Sequence, residues 1–387
     1  TTADKALKSV YLGVVGNQLN YGANPLLTKI KQTTNNVYGN EIIKSTSYGL
    51  SGGVSAGTEE GALPKAVNKK YSKFTATLKN LYGTLEISDK AIRCSQNSAG
   101  AFVNLLNEEM ESLIKSSTFN LGRMLYGDGT GVLGKVTTSN EASDCDFIVD
   151  IIRNFAINQT VRFLNTAGTA YNTTYNKIFN ITGINRSSST IITDYPADID
   201  YKDYKLTTIG GFKNEITGLG AIFGSDTYLY GLKRADNTWL TPYTKSSVGS
   251  ISESAMQTAI DEIADSSGAD VDYIACSSKV RRYYQDCVKS YKRNIDVMDL
   301  QGGFRALSYN GIPVVNDRFV ADGDMYLLTT KEFELCQLGD WSWLESNDGR
   351  IIRQKEGYPI YTATLVKYAE LLCNRPNSQA KLTGITG

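Results

Sequence analysis

The sequence predicts an α+β protein, and three observations carry that reading. Phe102, Leu106, Met110, Leu113, Leu121 and Met124 fall on one stripe at helical spacing, which gives a single long amphipathic helix. Phe74, Ala76 and Leu78, then Leu85 and Ile87, and later Ile360, Thr362, Thr364 and Val366 recur at period two, as in strands. From Ser250 onward helix and strand signals alternate, which is the order of a small α/β unit.

Taken in order, residues 1–44 are short of core material. Ala6-Leu7, Val10-Tyr11 and Val14-Val15 predict a first helix, and Asn35-Asn36 and Gly39-Asn40 predict turns. Such a segment is expected to run as an arm over another surface. Ser45 to Lys70 holds Gly49, Gly52, Gly53, Gly57 and Gly61 with almost no large side chains. A loop longer than about 15 residues without its own core is either functional or disordered. It leads into the alternating runs at 74–79 and 84–87, with Asn80 to Gly83 between them, which read together as a β-hairpin. Nothing within the chain is available to pack against this long approach arm, so another molecule is its expected partner.

Ser95, Asn97 and Ser98 offer N-caps to the long helix, and Gly127-Asp128-Gly129-Thr130-Gly131 ends it. From about Ser98 to Tyr126 it would span about 40 Å, long enough to act as a backbone element. Between Val136 and Thr208, Phe147-Ile148-Val149, Val161 to Phe163, Ile178-Phe179, Ile181 and Ile191-Ile192 are short apolar runs. Asn, Thr, Gly and Ser clusters separate them, as in a small barrel or sandwich. Residues 209–249 are rich in glycine and read as connection. Ser250-x-x-Glu253 then reads as a capping box for a helix with Met256, Ala259, Ile260 and Ile263 inward and Gly268 as its stop. Val271 to Cys276 is a strand, Ser278 to Arg293 a helix, and Gly311 to Val315 and Met325 to Leu328 are strands. Ile351 to Cys373 is long strand material.

The 387 residues carry 40 Lys+Arg against 40 Asp+Glu and no histidine. Zero net charge gives no whole-chain attraction to nucleic acid or anionic membrane. The missing histidine removes Ser-His-Asp and Cys-His catalysis, His-ligated zinc and imidazole switching. Carboxylate and lysine chemistry survives. Cys94, Cys145, Cys276, Cys287, Cys336 and Cys373 form no CxxC pair and read as free thiols. No apolar run reaches the length of a membrane span. Gly127 to Gly131 follows a helix rather than leading into one, so it is a helix stop and not a phosphate cradle. Glu108, Glu109 and Glu111 lie within one turn; Glu108 and Glu111 share a face, as a carboxylate hydrolase would need, or line a solvated helix face. Lys279, Arg281, Arg282, Lys289, Lys292 and Arg293 interleave with Tyr283, Tyr284 and Tyr291. That helix suits either a nucleic-acid backbone or acidic surface on a neighbouring subunit.

That series of elements resembles the major capsid proteins of tailed bacteriophages, the HK97-like fold family. The segments that carry the resemblance are GTEEGALPKAVNKKYSKFTATLKNLYGTLEISDKAI (57–92), AGAFVNLLNEEMESLIKSSTFNLGRMLYGDGTG (99–131), GIPVVNDRF (311–319) and YTATLVKYAELLCNRPNSQAKLTG (361–384). The resemblance implies an N-terminal arm at 1–44, an extended loop at 45–85, and a peripheral domain with a spine helix at 86–135. It further implies a β-rich insertion at 136–208, a connecting segment at 209–249 and an axial domain at 250–326. The chain would return to the peripheral domain over 327–373 and rejoin the axial domain over 374–387.

The implied function is a structural one, an icosahedral shell of hexamers and pentamers enclosing the double-stranded DNA of a phage, with no catalytic residue, metal or cofactor. Implied partners are further copies of the chain, portal and scaffolding proteins, a decoration protein, and DNA held without sequence preference; no membrane is involved. The implied location is the virion, after assembly in the host cytoplasm. Inter-subunit contact candidates are Lys65, Lys69, Lys70, Glu59, Glu60, Arg281 and Arg282. In some family members a loop lysine forms an isopeptide bond to a neighbour's asparagine beside a carboxylate in an apolar pocket. No such carboxylate is evident in this sequence, and non-covalent clamping is expected. The family often loses an N-terminal scaffolding segment to a protease, so a chain beginning at Thr1 is expected to have lost one or to use a separate scaffold. Encapsulin shells share the fold and are the alternative; a hydrolase using Glu108 and Glu111 is the alternative from another class.

Overall fold

The computed structural model describes residues 24–48, 53–63, 65–90, 99–139, 143–165, 177–291, 297–299 and 305–387, with the backbone alone at 99–107, 289–291, 297–299 and 305–306. The first helix expected near Ala6 to Val15, and Cys94, lie outside these residues. Four helices are used below: α1 (Ala99–Tyr126), α2 (Leu219–Ile222), α3 (Glu253–Ser267) and α4 (Ser278–Tyr291).

The strand Ile360–Cys373 is the axis of the largest core. It pairs antiparallel with Lys79–Ser88 over ten residues, from Ile360↔Ser88 to Ala369↔Lys79. Phe333–Gln337, Ser342–Trp343 and Arg353–Gln354 take its other side, and Lys31–Thr33 adds a parallel strand outside Phe333–Gln337. On Lys79–Ser88 the alternation is complete: Leu81, Leu85 and Ile87 are buried, while Tyr82, Thr84 and Glu86 face out. The inward set meets Met110, Leu113, Ile114, Leu121 and Leu125 of α1 in one cluster. Each fully buried side chain of this size contributes about 1.5–3 kcal/mol, so the stripe read along the long helix is what fastens it to the sheet.

The hairpin expected between the runs at 74–79 and 84–87 does not form. Lys70–Thr77 pairs instead with Glu41–Tyr48, in eight-residue register from Glu41↔Thr77 to Tyr48↔Lys70. The chain passes from this ribbon into the main sheet at Leu78 without reversing, and Asn80 to Gly83 are strand residues opposite Leu365 to Tyr368. Gly83, which looked like a turn residue, serves close packing: a Cβ there would press on Leu113 and Ser117 of α1. The hairpin of this chain is therefore Glu41–Tyr48 with Lys70–Thr77, and the glycine-rich segment is its tip.

Six strands from Val132–Lys135 to Lys205–Thr207 form a second unit, ordered 132–135, 205–207, 160–164, 179–185, 190–193, 146–148. The bridge Val136↔Val149 joins its two edges, so the sheet closes into a small barrel. Phe147, Phe163, Phe179 and Tyr201 fill it with ring centroids 4.4–6.4 Å apart.

The third unit is a seven-stranded mixed sheet in which Tyr273–Cys276 lies between Met325–Leu328 and Ile312–Asn316. Its edges are Tyr243–Lys245 on one side and Val297–Asp299 on the other. Ile274, Cys276, Val314, Met325, Leu327, Ala380 and Leu382 face α3 and α4, while Tyr273, Ala275, Val315, Tyr326 and Leu328 face the large core. The cap of α3 is Ser252, not Ser250. Its hydroxyl accepts from the Ala255 N–H at 3.1 Å, and Gly268 ends the helix at φ +64, as a left-handed cap requires. The local pattern marks the central strands of this sheet but not its outer ones. Two of those, Tyr243–Lys245 and Ala380–Leu382, pair with each other across more than a hundred residues of chain.

Candidate assembly interface

The ribbon Glu41–Tyr48/Lys70–Thr77 is anchored at its base and unsupported at its tip. Ile42 and Phe74 are fully buried; the Phe74 ring lies 5.2 Å from Tyr230 and 5.7 Å from Trp239. Tyr48 stacks on Trp239 at 5.3 Å, the Thr75 N–H donates to the Tyr230 carbonyl, and Lys44 pairs with Glu334 at 2.6 Å. Toward the tip the described residues from 54 onward lose this burial. Residues 54–63 and 65–70 are all exposed, including Val54 at 87%, Leu63 at 90% and Val67 at 51%.

The two sides of the tip stay close together: a Cβ on Gly53 would meet the Ala66 backbone at 3.3 Å. Thr58 to Gly61 makes the turn, with the Gly61 N–H donating to the Thr58 carbonyl at 3.1 Å. From Tyr48 the turn is about eleven residues away, a reach of at most about 35–40 Å. Glu59 and Glu60 sit at the turn; Lys65, Lys69 and Lys70 line the returning side. All five are exposed and none forms an ion pair among the described residues. They share one projecting arm, and the structure brings none of them to a buried carboxylate.

Four buried charges, Arg123, Glu215, Lys367 and Glu370, are not evident as such in the sequence. Arg123 and Glu215, each 3% exposed, form a two-point pair at 2.8 and 2.5 Å that ties α1 to the segment before α2. Glu370 accepts from the Thr217 N–H at 2.6 Å and the Leu371 N–H at 2.9 Å, and burial pushes its carboxyl up to about 7. It is a buried carboxylate, enclosed and committed to backbone donors. Lys367, with no exposed side-chain surface, reaches Asp340 at 3.2 Å and Gln32 at 3.1 Å; burial pushes its ammonium down. A charge inside an otherwise apolar strand, as at Lys367 and Glu370, is the signal that could have found two of them.

On α4, Lys279 and Arg282 are exposed and Arg281 is half-buried, so the helix does present a basic face. The Lys289 side chain, Lys292 and Arg293 lie outside the described residues. On α1, Glu108 is exposed and Glu111 pairs loosely with Lys115 at 3.7 Å on an open face. Among the described residues no group of three His, Cys, Asp or Glu side chains could hold a metal ion. Cys145, Cys276, Cys287, Cys336 and Cys373 are free thiols. No helix among the described residues is long and apolar enough to cross a membrane.

No family model and no curated protein sequence matches the chain. Solved structures do. The SrpI encapsulin of Synechococcus elongatus PCC 7942 is 8% identical over 94% of this chain and 88% of its own, at a TM-score of 0.46. The satellite phage P4 procapsid with its size determination protein gives 10%, 97%, 99% and 0.46. The cyanophage A-1(L) capsid is more similar: 11% identity, 96% of this chain, 92% of the other, and a TM-score of 0.54. Over nearly its whole length the chain has the α+β architecture of that shell subunit, the HK97-like capsid fold.

Proposed function

We propose that this chain is a major capsid protein, building an icosahedral shell of hexamers and pentamers around the double-stranded DNA of a tailed phage. The observation that carries the reading is the arm. A segment whose apolar Val54, Leu63 and Val67 stand in solvent buries none of these three side chains, and ordering it costs roughly 1–2 kcal/mol per residue. A second copy lying under it supplies the missing burial, and a capsid-type fold over nearly the whole chain supports that partner.

In this reading residues 45–85 are the extended loop, its last residues 79–85 running on into the main sheet, 86–135 and 327–373 the peripheral domain with α1 as its spine, and 250–326 with 374–387 the axial domain. The barrel is an insertion. Lys65, Lys69, Lys70, Glu59, Glu60, Arg281 and Arg282 contact neighbouring subunits, and the arm clamps without a covalent bond. Portal, scaffolding and decoration proteins are further partners, DNA is enclosed without sequence preference, and assembly takes place in the host cytoplasm before the protein resides in the virion. The role is structural, with no chemistry assigned to Glu108 or Glu111. Electron microscopy of the purified protein tests it: closed particles are expected, and monomers under every condition that keeps the chain folded would refute it. Particles from the native source that hold an enzyme instead of DNA would favour an encapsulin.

A further inference from the structure

Helices α3 and α4 each carry charge of the wrong sign at one end. α3 has Glu253, Asp261, Glu262 and Asp265 and no basic residue. Asp261, Glu262 and Asp265 crowd its last two turns, where the helix dipole already places negative partial charge. All three are exposed; Asp261 accepts from Gln257 at 2.7 Å, and none meets a cation among the described residues. α4 repeats the conflict with the sign inverted. Lys279, Arg281 and Arg282 occupy its first turns beside the positive end of the dipole, no acidic residue lies in its first turn, and its single carboxylate, Asp286, comes a turn later. None of these three cations forms an ion pair among the described residues.

The topology keeps the two ends apart within one chain. α3 precedes the strand Tyr273–Cys276 and α4 follows it, and both lie on the same face of the sheet. The last turn of α3 is tied to residues 375–378, through Ser266 to the Asn377 carbonyl and Arg375 to the Ser267 carbonyl. The first turn of α4 is tied to the strand's other end, where Ser278 donates to Asn316 at 2.9 Å and the Ser277 N–H reaches the Asp324 carbonyl. A four-residue strand, about 13 Å, stands between them. Beside the acidic end lies a cleft of about 380 Å³ bordered by Trp239, Pro242, Tyr243, Glu262 and Asn377, with room for a cationic side chain next to the Glu262 carboxylate.

We infer that the acidic end of α3 in one copy docks against the basic end of α4 in a second copy. The contact is heterologous: each subunit offers an acidic surface at one edge and a basic one at the other, and a closed ring leaves neither unpaired. It rests on the shell reading for its setting, but the pairing itself can be measured without a shell. The occupant is a second copy because both complementary surfaces belong to this chain and its net charge is zero.

The experiment uses full-length Lys279→Glu/Arg282→Glu and Glu262→Lys/Asp265→Lys variants, all at exposed positions. Both reversals favour the helix dipole, so each isolated subunit should melt no lower than wild type. Each variant alone should self-associate at least about tenfold more weakly by sedimentation at low salt. An equimolar mixture should recover association, because each then presents the charge the other lacks. A mixture no better than its components, or variants that associate like wild type, would overturn the pairing. Wild-type particles together with a failed mixture would sink this inference and leave the shell reading standing. A paired mixture from a chain that never builds particles would do the reverse.

Discussion

At the scale of single residues, the buried charges decide most. Arg123 lies on the side of α1 opposite Leu121, where helical spacing alone would put it in solvent. It is buried because Glu215, 92 residues away in sequence, closes over it. Removing one partner of such a pair leaves a bare charge in the core, so Arg123→Met should cost about 3–5 kcal/mol in denaturant unfolding. The double variant Arg123→Met/Glu215→Leu should recover most of that loss; equal losses in single and double variants would show that the charges are not coupled. Glu370 adds a dependence on pH. Its carboxyl titrates at about 7 in the fold, mainly through burial, against an ordinary 4.5. The folded state therefore holds the proton more tightly, and the stability this supplies is whole below about pH 4.5 and lost as pH rises through about 7. Glu370→Gln keeps an acceptor for the Thr217 and Leu371 N–H groups and carries no charge. Relative to wild type it should gain roughly 2–3 kcal/mol between about pH 5 and about pH 8. A wild-type-minus-variant difference that stays flat with pH would exclude Glu370 as the source.

At the scale of elements, the parts held by local pattern were legible and those held by distant partners were not. α1 is found in sequence within a residue of its ends, because its stripe and its glycine stop are local signals. The arm was legible as an unpacked glycine-rich segment, but not as the tip of Glu41–Tyr48/Lys70–Thr77. Period two identifies a strand and says nothing about its partner, and Gly83 reads the same whether it makes a turn or admits a neighbouring helix. Contact candidates on the arm were visible as exposed charges, whereas the burial of Arg123 and Glu215 needed the third dimension. The arm carries its own prediction. A hydrogen bond closes its turn at Thr58–Gly61, and both flanks of that turn are exposed. Limited proteolysis should therefore cut between 53 and 70 in free subunits and spare that stretch in particles. Equal cutting in both forms would show that the arm does not lie under or over a neighbour.

At the scale of the molecule, the described residues form three clusters of buried side chains, and only one of these is drawn from a single stretch of sequence. The large core and the mixed-sheet core share the Tyr273–Cys276 strand, one on each face, so neither unit can be removed without exposing the other. The barrel is different. Its buried residues run from Leu133 to Leu206 and include no described residue from elsewhere. Its first and last strands are neighbours, with Thr207 opposite Val132, so the chain leaves the barrel about 5 Å from where it entered. A fold with this arrangement tolerates the unit as an addition. Two outcomes follow. Residues 132–208 expressed alone should melt cooperatively, because the aromatic cluster of Phe147, Phe163, Phe179 and Tyr201 is complete within them. Replacing them by a two- or three-residue glycine–asparagine link between Gly131 and Ile209 should leave the remaining cores folded, with the main thermal transition of the whole chain little changed. At the junction this excision removes the hydrogen bond from the Arg153 guanidinium to the Phe319 carbonyl, 3.0 Å long, beside the Arg318 side chain that lies over the Phe119 ring. If the excised chain instead fails to fold while the isolated barrel folds, the barrel supports the rest of the chain through that junction, and Arg153→Ala in the intact chain should lower the main transition by itself.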